Sequence, residues 1–183
     1  GIHFNDAELK RLAETGTGVA HCPISNMKLS SGIARIPEML KLGVRVGLAV
    51  DGSASNDGSD LLEELRTGFL LHRLNSSSAA PTGYDMLKIA TRGSASILGR
   101  DDIGQIAEGM AADFFLINMD RLSLTGAQFD VSSMLGTVGY KGNVDYTVVN
   151  GRVVVREGRL TGVDEEKITA EANHCVSRYL GRS

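Results

Sequence analysis

The chain has 183 residues, enough for one domain with a sizeable core or for a domain with a small appendage. Its 42% hydrophobic and 22% charged residues and formal net charge of -3 fit an ordinary soluble globular protein and give no basic surface for a nucleic-acid polymer or polybasic anchor for a membrane. Two cysteines, Cys22 and Cys175, are too few for a disulfide scaffold, and there is neither a signal peptide nor a run of 18 apolar residues, so the expected location is the cytoplasm.

The opening residues, GIHFNDAEL, lack an initiator methionine and pass at once into a helical pattern, so the chain reads as a portion of something larger. Asn5 or Asp6 caps a predicted short helix through Leu12, and Gly16 and Gly18 punctuate the turn after it. GVAHC is a predicted buried strand over 18–22, stopped by Pro23. ISNMKLSSG reads as a loop, and IPEMLKL as a helix with Pro37 near its start and Gly43 beyond its end. Residues 44–50, VRVGLAV, are apolar nearly throughout, which suits a strand covered on both faces.

A helix is predicted over 59–74 and another over 84–99, the second holding a glycine suited to close packing, with SSSAAPTG as a flexible connection between them. The texture changes near residue 104. A strand is predicted over 113–118, and VDYTVVNGRVVVREGRL reads as a hairpin turning at Asn150-Gly151. An amphipathic helix after Asp164 closes the chain. The alternation of helix and strand is an α/β signature, and three segments are expected: 1–103, a β-rich 104–160 and a helical 161–183.

Chemistry is expected at Asp51. An acid at the C-terminal end of a central parallel strand sits where barrels and open α/β sheets build their sites, and its carboxylate can bind a metal or orient a water. The small residues Gly52, Ser53, Ala54 and Ser55 let a ligand approach the backbone closely. The structural alternative is a carboxylate capping the next turn, with Asn56, Asp57 and Asp60 doing similar local work. His21 ends the earlier strand, where it is either a second polar site residue or a hydrogen-bonded structural histidine. Alternation turns Cys22 toward the packed layer, which argues against a His21–Cys22 zinc pair. His3 precedes the first helix as a substrate contact or a surface residue; His72 reads as a packing or surface residue within its helix. No dinucleotide fingerprint, phosphate loop or nucleophile elbow is present.

HCPISNMKLSSGIARIPEML followed by VGLAVDGSASNDGSDLLEELR resembles the last two barrel strands and loops of the amidohydrolase superfamily, in its aminohydrolases of nitrogen heterocycles. Within it, the sequence resembles the bacterial 8-oxoguanine deaminases and related guanine, cytosine and hydroxy-triazine aminohydrolases. ILGRDDIGQIAEGMAADFFLIN and VDYTVVNGRVVVREGRL resemble that family's passage into its small β domain. The resemblance implies an α/β fold: the C-terminal part of a distorted TIM (β/α)8 barrel plus part of a small β-sandwich domain.

It also implies one divalent metal, zinc with iron as the alternative. Asp51 matches the family's eighth-strand ligand and is thereby implied as the catalytic and metal-binding residue. The histidine ligands, the proton-transfer glutamate and the sixth-strand histidine are expected in the missing N-terminal portion of the same enzyme. His21, Ser25, Asn26 and Ser53 are implied as substrate-binding residues. The implied reaction is attack by metal-activated water on a ring carbon bearing an amine, with release of ammonia from a small heterocyclic substrate such as 8-oxoguanine. The alternatives are a cyclic amide hydrolase and an inert fragment serving as a binding or assembly module. This chain alone is expected to be inactive, and a homodimer is the expected assembly by fold analogy.

Overall fold

A computed structural model describes residues 1–181. The chain divides into two compact units: Gly1–Met110 together with Met119–Lys141, and Ala111–Asn118 together with Gly142–Ser183. The change of texture near residue 104 gives no sign that residues 119–141 return to the first unit, because those residues form only short turns and one brief helix.

The first unit begins with helix α1, Asp6–Thr15. Asn5 caps it: its Oδ1 accepts from the Ala7 and Glu8 amides, while the Glu8 carboxylate accepts from the Asn5 amide at 2.7 Å. Asp6 instead pairs with Arg35. Gly16 ends the helix at φ 64, beyond Leu12, the predicted end.

Strands β1, Gly18–His21, and β2, Arg45–Leu48, pair in parallel with His21 opposite Leu48. Both are shorter than the apolar runs 18–22 and 44–50, since those runs extend into turns that the ladder does not reach. Val46, Gly47 and Leu48 are all buried, as expected of a strand covered on both faces. The expectation of a buried β1 is corrected: Gly18 and Ala20 are exposed and Val19 half-buried, and His21 is the one buried residue of that strand.

Between the strands lie α2, Pro23–Lys28, and α3, Ile36–Lys41. The first corrects the expected loop over 24–32. Pro23 does stop the strand, but it also occupies the first helical position, where its fixed φ favours starting a helix.

Helix α4, Leu61–Ser76, follows β2 and is capped by Asp60, whose Oδ1 accepts from the Leu62 amide at 2.8 Å. The 76–83 connection holds a 3₁₀ turn, Ser77–Ala79, and its far end is buried at Ala80 and Gly83. The single helix predicted over 84–99 is broken into α5, Gly83–Lys88, a π-helical turn, Ile89–Gly93, and α6, Ser94–Ile97. A π-turn widens the backbone without changing apolar spacing enough for a sequence reading to register it.

This stretch lies directly on the strands, where glycines leave it room. A Cβ on Gly47 would come within 2.8 Å of the Ser94 Cα, and one on Gly18 within 2.5 Å of Ile97. Ser94 Oγ accepts from the Leu48 amide at 3.1 Å. Leu9, Ile36, Met39, Leu65 and Met86 form the deepest part of the core.

In the second unit, β3, Phe114–Leu116, β4, Tyr146–Val149, β5, Arg152–Arg156, and β6, Arg159–Leu160, form an antiparallel sheet in that order. The returning segment holds α7, Met134–Thr137, which belongs to the first unit. Asn150 at φ 48 and Gly151 at φ 77 make the hairpin turn, the left-handed pair that a two-residue connection requires. Asp113, just before β3, accepts from the Asn150 amide, and Asp145, just before β4, accepts from the Asn118 amide, so both ends of the three-residue β3 are tied to β4 and its turn. Helix α8, Glu165–Tyr179, begins at its Asp164 cap and buries none of its residues. No described helix is long and apolar enough to cross a membrane.

Candidate functional site

Asp51 lies just past the C-terminal end of β2, in a left-handed turn at φ 66 that aspartate tolerates better than most residues. Its carboxylate is exposed and held at both oxygens. Ser25 Oγ donates to Oδ2 at 2.6 Å and the Gly52 amide donates to Oδ1 at 2.7 Å. The Ser25 hydroxyl, then the Gly52 amide, stabilise the charged form and hold this carboxyl below the usual carboxylate range.

Ser25 reaches Asp51 because α2 begins immediately after β1 and turns the buried hydroxyl inward. On the other side, the loop after β2 closes on itself: the Ser55 and Asn56 amides both donate to the Gly52 carbonyl, at 3.0 and 2.9 Å. Lys28 ties α2 to this loop through Asp57 and the Ala54 carbonyl. Ser53 is exposed in the turn two residues after Asp51 and Asn26 is half-buried on α2 next to Ser25; of the predicted substrate-binding residues, Ser25 is the one that hydrogen-bonds the carboxylate.

His21 is placed differently. It is 2% exposed, and its Nε2 lies 3.0 Å from Nε2 of His72 on α4, with ring centroids 5.1 Å apart. One ring donates and the other accepts, and both Nδ1 atoms lack a hydrogen-bond partner. His21 therefore faces the helix layer. Cys22 is the half-buried residue, and its thiol is pushed up by burial and by the charges of Asp51 and Glu64. This corrects the expected alternation, which turns Cys22 toward the packed layer. His3 is exposed before α1.

Burial and the neighbouring His72 hold His21 at a pKa of about 3, and burial lowers His72 as well. Below pH 6.5 the unfolded chain takes up a proton at His21 that the folded chain refuses. The stabilising contribution is therefore complete above that pH and lost as pH falls toward 3. Glu64, raised to about 6 by burial, acts with the opposite sign between pH 6 and 4.5, where the folded chain holds the extra proton. Urea unfolding of His21→Gln beside the parent should show their stability difference narrowing by about 1.4 kcal/mol per pH unit below about 6.5. A difference independent of pH would rule this out.

The residue that the sequence reading missed is Glu64. It is 0% exposed on α4, its Oε2 accepting from the Ile24 amide at 3.0 Å and its Oε1 from Asn56 Nδ2 at 2.6 Å. A signal was present: Glu64, Gly68 and His72 fall at successive intervals of four, on the face that also buries Leu65.

Asp51 suits a divalent cation, being ionised and exposed with lone pairs left on both oxygens. Among the described residues, no group of three or more His, Cys, Asp or Glu is placed to hold a metal ion.

A fixed, ionised acid at the C-terminal edge of parallel strands defines a class: a parallel α/β protein of the kind that builds its site at the strand ends. The chain belongs to the amidohydrolase family, whose sequence model matches residues 1–154. It is 44% identical to the hydroxydechloroatrazine ethylaminohydrolase of Pseudomonas sp. (strain ADP), over 98% of this chain and 38% of the relative. It is 43% identical to the 8-oxoguanine deaminase of Pseudomonas aeruginosa, over 98% of this chain and 40% of that protein. The crystal structure of atrazine chlorohydrolase TrzN from Arthrobacter aurescens TC1 complexed with zinc superposes with a TM-score of 0.89 and 34% identity, covering 94% of this chain and 39% of TrzN. The fold is accordingly of the α/β amidohydrolase type, and the chain spans about 40% of the length of the relatives it matches.

Proposed function

We propose that this chain supplies the closing strands of a distorted (β/α)8 barrel and part of a small β-sandwich domain in a metal-dependent aminohydrolase. The substrate class is a purine-like or related nitrogen heterocycle, 8-oxoguanine among them, with ammonia released. The observation that carries this reading is the Asp51 carboxylate, ionised and aimed by Ser25 and Gly52 at the end of β2.

Asp51 would hold one divalent metal, zinc with iron as the alternative, alongside ligands from the preceding portion of the enzyme. When bound, such an ion lowers the pKa of its water and supplies a nucleophile near neutral pH. Ser25 keeps the Oδ2 edge oriented, and the Gly52 amide does the same for Oδ1. An exposed Ser53 and a half-buried Asn26 would offer hydrogen bonds to the ring edge. His21 would act from behind this layer, holding the end of β1 through His72.

The test is ammonia release by the full-length enzyme, with bound metal counted, over 8-oxoguanine, guanine, cytosine and hydroxy-triazines. Turnover of at least one ring with metal bound supports the proposal. A ring-opened product without ammonia would assign a cyclic amide hydrolase, and metal-free protein with no turnover a binding or assembly module.

A further inference from the structure

Glu64 is the only fully buried acid among the described residues. Removing a carboxylate from water costs several kcal/mol per ion unless hydrogen bonds compensate, and an apolar side chain would fill the same space without that cost. It is not needed as the helix cap, since Asp60 already accepts from the Leu62 and Glu63 amides.

Its two oxygens go to two different loops. Oε2 accepts from the Ile24 amide, and the next residue, Ser25, donates to Asp51 Oδ2. Oε1 accepts from Asn56, whose amide is bound to the carbonyl of Gly52, and the Gly52 amide donates to Asp51 Oδ1. Each oxygen of Glu64 thus leads, through two intervening residues, to a different oxygen of Asp51. The Asn56 side chain cannot turn round freely, because its Oδ1 accepts from the Gly58 amide at 3.2 Å.

We propose that Glu64 is a positioning residue, clasping the loop after β1 with one oxygen and the loop after β2 with the other and so fixing both hydrogen bonds that aim Asp51. This rests on the reading of Asp51 as a metal ligand.

The donor and acceptor pattern supplies the test. In Glu64→Gln one oxygen still serves Ile24, but the new NH₂ faces the NH₂ of Asn56. Asn56→Asp alone sets acid against acid. In the double variant, the amide introduced by E64Q donates to the carboxylate introduced by N56D, and the second oxygen of that carboxylate still receives the Gly58 amide.

The measurements are kcat, KM and the visible spectrum of the cobalt-substituted full-length enzyme. Glu64→Gln should lower kcat by about 10- to 100-fold, with KM changed by less than about 3-fold, and should alter the cobalt bands. The double variant should recover kcat to within about 5-fold of the parent and restore the bands. Parental kcat and spectrum in Glu64→Gln, or no recovery in the double variant, would overturn the proposal. If Glu64→Gln does not fold, Glu64→Asp decides in the same assays: one methylene shorter, it should lower kcat and shift the bands, and parental behaviour would overturn the idea. A parent enzyme that binds no metal sinks the Asp51 reading and the Glu64 role together. A metal-bound, active parent indifferent to Glu64 sinks only the second.

Discussion

Asp51→Asn in the full-length enzyme is expected to lose its metal and to lower kcat/KM by at least about 10³-fold, more than the removal of a residue that only supports a ligand. Asparagine is the informative replacement. It nearly matches aspartate in size and tolerates the left-handed backbone at φ 66, so the turn should survive. It removes the negative charge that Ser25 and Gly52 stabilise. Ser25→Ala, which deletes only the donor to Oδ2, should cost about 10- to 100-fold in metal affinity with little change in folding. Metal analysis beside steady-state kinetics separates the two. Full metal occupancy and activity close to that of the parent in Asp51→Asn would remove Asp51 from the metal site.

Gly93→Ala should lower the stability of the first unit by about 3 kcal/mol, the upper part of the range for overpacked sites. The backbone at Gly93 has an ordinary helical φ of -62, so conformation alone does not require glycine. Space does: an added Cβ would overlap the Val46 carbonyl oxygen and lie 3.2 Å from its carbon. Neither partner can easily retreat, because Val46 is paired with Val19 and Gly93 closes the π-turn. Gly99→Ala is the control, with nothing within 4 Å of the new atom and only the strain of φ 68, about 1 to 2 kcal/mol. Equal unfolding midpoints for the two variants would show that the contact at β2 is not what excludes a side chain. Since Asp51 follows β2, Gly93→Ala should also weaken metal binding.

The site's strand is legible because a strand buried on both faces leaves a continuous apolar run. VRVGLAV announces β2, and an acid directly after it announces a strand-end site. Helix α2 is not legible: its six residues include Ser25 and Asn26, poor helix formers, and carry no apolar period long enough to register. It begins at Pro23, and the Glu64 carboxylate receives the Ile24 amide in its first turn. The orientation of His21 is equally hidden. Alternation says that His21 and Cys22 face opposite ways, but only the packing of α4 decides which of them meets His72. Glu64 could have been found by asking why a charge falls in phase with Leu65, Gly68 and His72.

The discontinuity of the second unit has a consequence for how the chain is made. Strand β3 emerges from the ribosome about 30 residues before β4, the partner that hydrogen-bonds to it. At roughly 5 to 20 residues per second, Phe114, Phe115 and Leu116 wait about 2 to 6 s with an unpaired edge, while residues 119–141 are drawn into the other unit. During that interval the nascent chain carries an unpaired aromatic segment, and slower translation across residues 117–145 is expected to lengthen its exposure.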